Sequence, residues 1–240
     1  MRACACLTAG ARASLPLPMS LQLRDDLHWC DCEGGAVFLD TRADRYFCLP
    51  RASNEAFLRL AARTTREGDK HLLRQLTAKG VLVEAGTDAP FRLPPAIDVP
   101  TRDLVEEPFR STTLRWTLRA LAAECRAAWA LRTRRLHNVI ESARDRGQRP
   151  IDPGAKQRWQ VEEIVAAAAA AAFITRSHDR CLVRALAVHA LCSRTMVRPK
   201  LVFGVAAHPF AAHCWVQLGS AVLVGGFEQA RLYKPVLVVG

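Results

Sequence analysis

Two segments of the 240-residue chain carry side chains suited to covalent chemistry in concert. The first is "SHDRCLVRALAVHALC", where Ser177 or Asp179 is suited to cap a helix and so places Cys181 in the first turn. The positive end of the helix dipole there favours a thiolate, the nucleophilic form of cysteine. The second is "AHCWVQL", a strand-like run in which His213, Trp215 and Gln217 share one face and Cys214, Val216 and Leu218 the other. A histidine within reach of a first-turn cysteine makes a pair able to attack an acyl carbon. His213 fits that place beside Cys181. The Cys181 backbone N–H is placed to serve as an oxyanion donor.

A third group is expected to orient the imidazole. With the turn centred on Gly219 and Ser220, the residue opposite His213 falls near 225 or 226, and both are glycine. Glu228 stands three residues on and is the candidate acid. A backbone carbonyl, a distant side chain or water is an alternative, and so is a protein that binds without cleaving. His178 lies beside the cysteine, and His189 sits about 80° round the helix from it. His208 falls in a loop before Pro209. Cys192 and Cys214 read as core fillers, and Trp215 as packing behind His213.

The surrounding elements split the chain into two halves. "DLHWCDC", a glycine turn, and a hairpin of Ala36–Leu39 with Tyr46–Leu49 read as strands. Ser53 is suited to cap a helix carrying Phe57, Leu58 and Leu60, which Gly68 breaks. A second helix runs from about Asp69 to Lys79 and ends at Gly80, before a strand in "VLVEA". This is a small winged-helix-like α+β module over 19–85. Residues 86–110 hold five prolines and read as a linker. The second half, 111–240, opens on three helices, the first with an apolar stripe of Leu114, Leu118, Leu121, Cys125 and Trp129 opposite an arginine-rich face. An antiparallel sheet follows in "KLVFGVA", "AHCWVQL", "SAVLVG" and "KPVLVV", an α+β order.

A cysteine at a helix start with histidine on a following strand resembles the papain and transglutaminase folds. More narrowly, "CLVRALAVHALCSR", "LVFGV" and "HPFAAHCWVQLGSAVL" resemble the peptidase domain of lasso-peptide B proteins. "GGAVFLDTRADRYFCL" and its two helices resemble the precursor-recognition domain of ribosomal-peptide maturation. Together they resemble the fused form of the lasso leader peptidase. The resemblance implies binding of a precursor leader by strand addition to the small sheet and thiol cleavage of the leader–core bond, with Cys181 as nucleophile and His213 as general base and later the acid that protonates the leaving amine. Tyr46 and Phe47 on the hairpin, with Lys70 and Arg74 on the second helix, are the implied leader contacts. The implied partners are the precursor peptide and an ATP-dependent lasso cyclase. The family's orienting residue is an aspartate at about the position of Gly225, and this chain departs from it. An acyltransferase sharing the acyl-enzyme, or a docking protein without cleavage, is the alternative.

Bulk properties narrow the rest. Net charge is +11, and only five of the 34 basic residues are lysine. Such a charge suits acidic peptides, nucleic acid or anionic surfaces alike. "DKHLLRQLTAK" carries few groups suited to base edges, which disfavours DNA reading. No apolar run reaches the roughly 18 residues of a membrane span. Residues 1–18 read as a tail ahead of Met19 rather than an export signal, which gives a cytoplasmic expectation. Nine cysteines without a framework spacing are expected to be reduced. His28, Cys30 and Cys32 lack a complementary ligand pair, so neither metal nor another cofactor is expected.

Overall fold

A computed structural model describes residues 20–33, 35–85, 91–105, 112–147, 155–175, 180–195 and 197–240. The expected tail, the capping candidates Ser177 and Asp179, and His178 lie outside these residues.

The N-terminal half begins with β1 (Ser20–Leu23), β2 (Leu27–Cys32), β3 (Gly35–Asp40) and β4 (Arg45–Cys48). β2, β3 and β4 form an antiparallel meander in which Phe38 faces Phe47 and Leu39 faces Tyr46. β4 is its edge strand. Helices α1 (Arg51–Ala61) and α2 (Asp69–Ala78) follow, then β5 (Leu82–Ala85), which pairs antiparallel with β1 in a ladder of its own. α1 starts two residues before the expected cap, with Pro50 at the N-cap, so Ser53 lies inside the first turn. Proline tolerates this entry because its fixed φ suits a helix start. Asn54 instead reaches back, its Oδ1 accepting the Ala36 N–H at 2.9 Å, and ties α1 to β3.

Period-2 alternation divides the meander into two buried faces. Trp29, Ala36 and Phe38 pack with Phe57, Leu73 and Leu76 in the core of the small module. Cys30, Cys32, Val37 and Leu39 point the other way, into the large core of the second half. The two halves therefore share one apolar core, with β2 and β3 laid against the last strand of the chain.

The proline-rich stretch is a strap over its described part. Phe91 is buried against Phe57 and Trp29, and Trp29 Nε1 donates to the Arg92 carbonyl at 2.8 Å. Farther on, β6 (Arg102–Asp103) pairs with the sheet of the second half. Proline supplies the extended backbone, but apolar anchors and carbonyl acceptors pin it, so it does not act as a free tether.

The second half contains four long helices where the sequence predicts three: α3 (Leu114–Thr133), α4 (Leu136–Gly147), α5 (Ala155–Thr175) and α6 (Cys181–Cys192). The backbone turns extended at Arg134 and separates α3 from α4. The apolar stripe of α3 is largely outside: Leu114, Leu118 and Trp129 are 74%, 56% and 61% exposed. Ala120 and Ala123 face inward instead. α3 packs on α5 and α6, which present Ala167, Ala168, Ala171, Ala185 and Ala187. Such closely spaced helices admit small residues at the contact.

β7 (Lys200–Ala206), β8 (Ala211–Leu218), β9 (Ala221–Val224) and β10 (Lys234–Val239) form an antiparallel sheet in the order β10-β7-β8-β9, with α7 (Phe227–Ala230) between the last two strands. β6 adds a fifth strand, parallel to β9, which the all-antiparallel expectation omits. Among the described residues no helix is long and apolar enough to cross a membrane.

Candidate active site

The thiol is placed by the start of α6. Arg180 is the N-cap, with φ −105° and ψ 39°, and its carbonyl accepts the Arg184 N–H at 3.0 Å. Cys181 is thus the first helical residue, as a first-turn nucleophile requires. Its own N–H belongs to the set left without an intrahelical acceptor.

The imidazole is placed by β8 and its neighbours. Gly204 on β7 is the register partner of His213. A Cβ at Gly204 would stand 2.5 Å from Trp215 Cζ3 and 2.9 Å from Tyr233 Cβ, so glycine is what admits the aromatic packing there. Trp215 is fully buried and donates from Nε1 to Gln217 Oε1 at 2.7 Å. Gln217 in turn donates to the Asp98 and Gly219 carbonyls at 3.0 and 2.9 Å. The His213 ring lies between Trp215 and Tyr233, with centroids 6.0 and 5.2 Å away. Trp215 is packing behind the histidine, as the alternation implies.

A bulge sets the third contact. Gln217 pairs with Val222, yet Val216 pairs with Val224, so β9 carries one extra residue. Past it, Gly225 lies beside Trp215 with φ +112°, a conformation that L side chains rarely adopt. Its carbonyl oxygen is 2.9 Å from His213 Nε2. A carbonyl only accepts, so Nε2 carries the proton and donates to it. That leaves Nδ1 for the thiol, to which the His213 side chain is hydrogen-bonded.

The electrostatics favour charge separation. The bond from His213 leads in lowering the Cys181 pKa; burial opposes it, and the Cys214 and Leu182 N–H groups add to the lowering. For His213, burial pulls the pKa down, but the bonds to Cys181 and to the Gly225 carbonyl outweigh it and raise the pKa overall. Both shifts favour the thiolate–imidazolium form. Burial pushes the Cys30 and Cys214 thiols up, and Cys192 up to about 12, which suits neutral core groups. His189 is fully buried on α6, and burial lowers its pKa to about 4.

The other candidates are dispersed. Glu228 is exposed on α7, and no hydrogen bond or ion pair joins it to His213 among the described residues; the Gly225 carbonyl stands on Nε2 instead. Tyr46 packs from β4 against the large core of the second half. Its ring is 5.6 Å from Phe210, and burial, then the neighbouring Cys214 and Cys181 thiols, raise its pKa. Phe47 stacks on Phe38 at 5.0 Å on the opposite face, within the small module. Lys70 pairs with Glu67 at 2.7 Å, and Arg74 is exposed on α2. Lys70 and Arg74 therefore lie on a different element from the two aromatic residues. Cys30 and Cys32 face one side, their sulfurs 3.5 Å apart, in the shared core. No group of three or more metal-ligating side chains occurs among the described residues.

The sequence marks 225 or 226 as the place opposite His213 and leaves a backbone carbonyl as one alternative, but it does not assign that carbonyl to Gly225, and Tyr233 and Phe210 are not singled out. The Gly225-Gly226 pair was the available signal, since a residue whose backbone does the work needs no side chain.

Residues 121–238 match the family described as the transglutaminase-like superfamily, and the chain carries such a domain over that stretch. The matched span runs from within α3 into β10 and contains both Cys181 and His213. No curated protein and no solved structure gives a significant match.

Proposed function

We propose that this protein is a thiol peptidase that binds the leader of a ribosomally made precursor and cleaves the leader–core bond, in the manner of the lasso-peptide leader peptidases it resembles. The observation that carries the reading is the hydrogen-bonded Cys181–His213 pair, with opposite pKa shifts, inside a transglutaminase-like domain. The Cys181 sulfur attacks the scissile carbonyl carbon, and the oxyanion is met at the α6 N-terminus. His213 gives its proton to the departing amine, leaving a thioester. Neutral His213 then takes a proton from water, which attacks the thioester, and the thiolate leaves. The second half thus supplies the chemistry and β4, with Tyr46 beside the site, the route by which a bound leader arrives.

An acyltransferase reading shares every step up to the thioester and differs in an amine replacing water. Hydrolysis is favoured by the leader-binding role of the N-terminal half, because a released leader has no further use for an amine acceptor. Mass spectrometry of a precursor incubated with wild type and with Cys181→Ala tests this. A leader-sized fragment with a free carboxyl terminus, from wild type only, is expected. An amide-linked product identifies transfer; intact precursor in both, with the leader bound, identifies a docking protein.

A further inference from the structure

The transglutaminase-like domain holds a second pocket, of about 250 Å³, bounded by α3, α4, α6 and the turn after α6. Its walls are apolar: Ala123, Ala127 and Ala130 of α3, Val139 of α4, and Leu186 and Leu191 of α6. Four arginines from separate elements line it. They are Arg126 on α3, Arg134 at the α3–α4 break, Arg146 on α4 and Arg194 after α6. No aspartate or glutamate lines the pocket, and none of the four guanidinium groups has a hydrogen bond or ion pair, among the described residues.

Arg126, Arg134 and Arg194 are exposed and Arg146 is part-buried; what sets this pocket apart is that no acidic side chain faces them. In the larger cavity between the two halves, about 500 Å³, the arginines are matched: Arg92 pairs with Asp25 at 3.1 Å and Arg144 with Glu141 at 2.6 Å. In the α3–α4–α6 pocket Arg146 is part-buried, and its Nε is shielded from solvent without an acceptor. Burial, then repulsion from Arg194, lowers its pKa against a weaker pull from Asp145. A shielded Nε–H without an acceptor carries a desolvation cost, and an arriving oxyanion would remove that cost.

We infer that this pocket is a binding site for a compact polyvalent oxyanion, bearing phosphate or clustered carboxylate oxygens, held by Arg126, Arg134, Arg146 and Arg194. Guanidinium forks match such oxygens two at a time. Four positive charges around so small a volume call for a ligand whose negative charge is equally concentrated. The alanine walls and the exposed indole of Trp129 at the edge leave room for an uncharged portion of that ligand. The pocket is lined by the far part of α6 and the turn after it, whereas Cys181 opens that helix, so occupancy does not require the thiol.

The test is titration of the full chain with pyrophosphate and, separately, citrate, by calorimetry and thermal unfolding at constant ionic strength set with chloride. Saturable pyrophosphate binding is expected, raising Tm by about 5 °C near saturation. Arg146→Gln with Arg194→Gln is expected to weaken binding at least tenfold without lowering Tm in chloride. The surface variant Arg134→Gln gives the same loss of affinity without touching the part-buried Arg146. Citrate binding as tightly as pyrophosphate assigns the site to clustered carboxylates; pyrophosphate alone assigns it to phosphate. The inference is overturned if neither anion outdoes chloride, or if the variants bind both as wild type does.

Discussion

The carbonyl oxygen of Gly225 stands 2.9 Å from Nε2 of His213, where an orienting acid is expected from the resemblance. A carbonyl fixes the tautomer as an acid would, presenting Nδ1 to Cys181. It brings no full negative charge to stabilise the imidazolium, so the geometry is kept and the charge is absent. In a serine protease, losing the correct tautomer costs about 10⁴ in rate; here the tautomer is preserved.

Restoring the acid in place is expected to fail. At Gly225 a Cβ would lie 2.5 Å from Trp215 Cβ and 3.1 Å from His213 Nε2, at a φ of +112°. Gly225→Asp should destabilise the fold by about 2–5 kcal/mol from strain and overpacking and lower kcat/KM. Thermal unfolding and steady-state cleavage check this. A more active variant would show that the backbone yields to admit a carboxylate.

Glu228→Gln should leave kcat/KM within about twofold, as is usual for a surface change away from reacting groups. The carboxylate is exposed and does not touch the imidazole. Cleavage assays with the purified variant decide the matter, since an orienting acid would cost orders of magnitude.

The paired shifts set a pH signature. Cys181 is lowered, so its alkylation by iodoacetamide should rise at lower pH than that of an ordinary free thiol. His213→Ala removes the leading cause and should move that limb upward. His213 is raised, so the thiolate–imidazolium form is lost by thiol protonation on the acid side and by imidazolium deprotonation on the alkaline side, above the ordinary histidine range. A wild-type alkylation limb at the free-thiol value would remove the ion-pair argument.

Tyr46 and Phe47 are neighbours on β4 with opposite duties. Phe47→Ala should cost about 2 kcal/mol of stability, part of a full aromatic deletion, because its ring stacks on Phe38. Tyr46→Ala should lower kcat/KM for precursor more than it lowers Tm, since its ring packs beside Phe210, outside the core of the small module, and feels the Cys181 thiol electrostatically. Parallel denaturation and cleavage measurements separate the two. Equal effects in both variants would show that β4 acts only through the fold.

Much of the fold is local and so was legible. The apolar spacing of Leu72, Leu73 and Leu76 marks α2, and Gly80 closes it. The alternation across His213, Cys214 and Trp215 marks a half-facing strand, and a cysteine after polar residues marks a helix start. The apolar stripe of α3 shows the limit of such reading. Period gives a face, but the neighbours decide whether that face is buried, and alanine-rich α5 and α6 accept only Ala120 and Ala123. The strap is similar: prolines specify extended backbone, while its anchors on Trp29 and Gln217 come from elsewhere in the chain.

By itself, then, the sequence determined that Cys181 opens a helix and that His213 lies on a strand of the following sheet, because residue type and period act within a few residues. Only the tertiary structure decided what orients His213, which half supplies Tyr46, and where four arginines meet unpaired. A backbone carbonyl has no residue type to read. Convergence of Tyr46 on Phe210, or of Arg126 on Arg194, depends on sheet register, a bulge and helix packing, all set by contacts between residues distant in the chain.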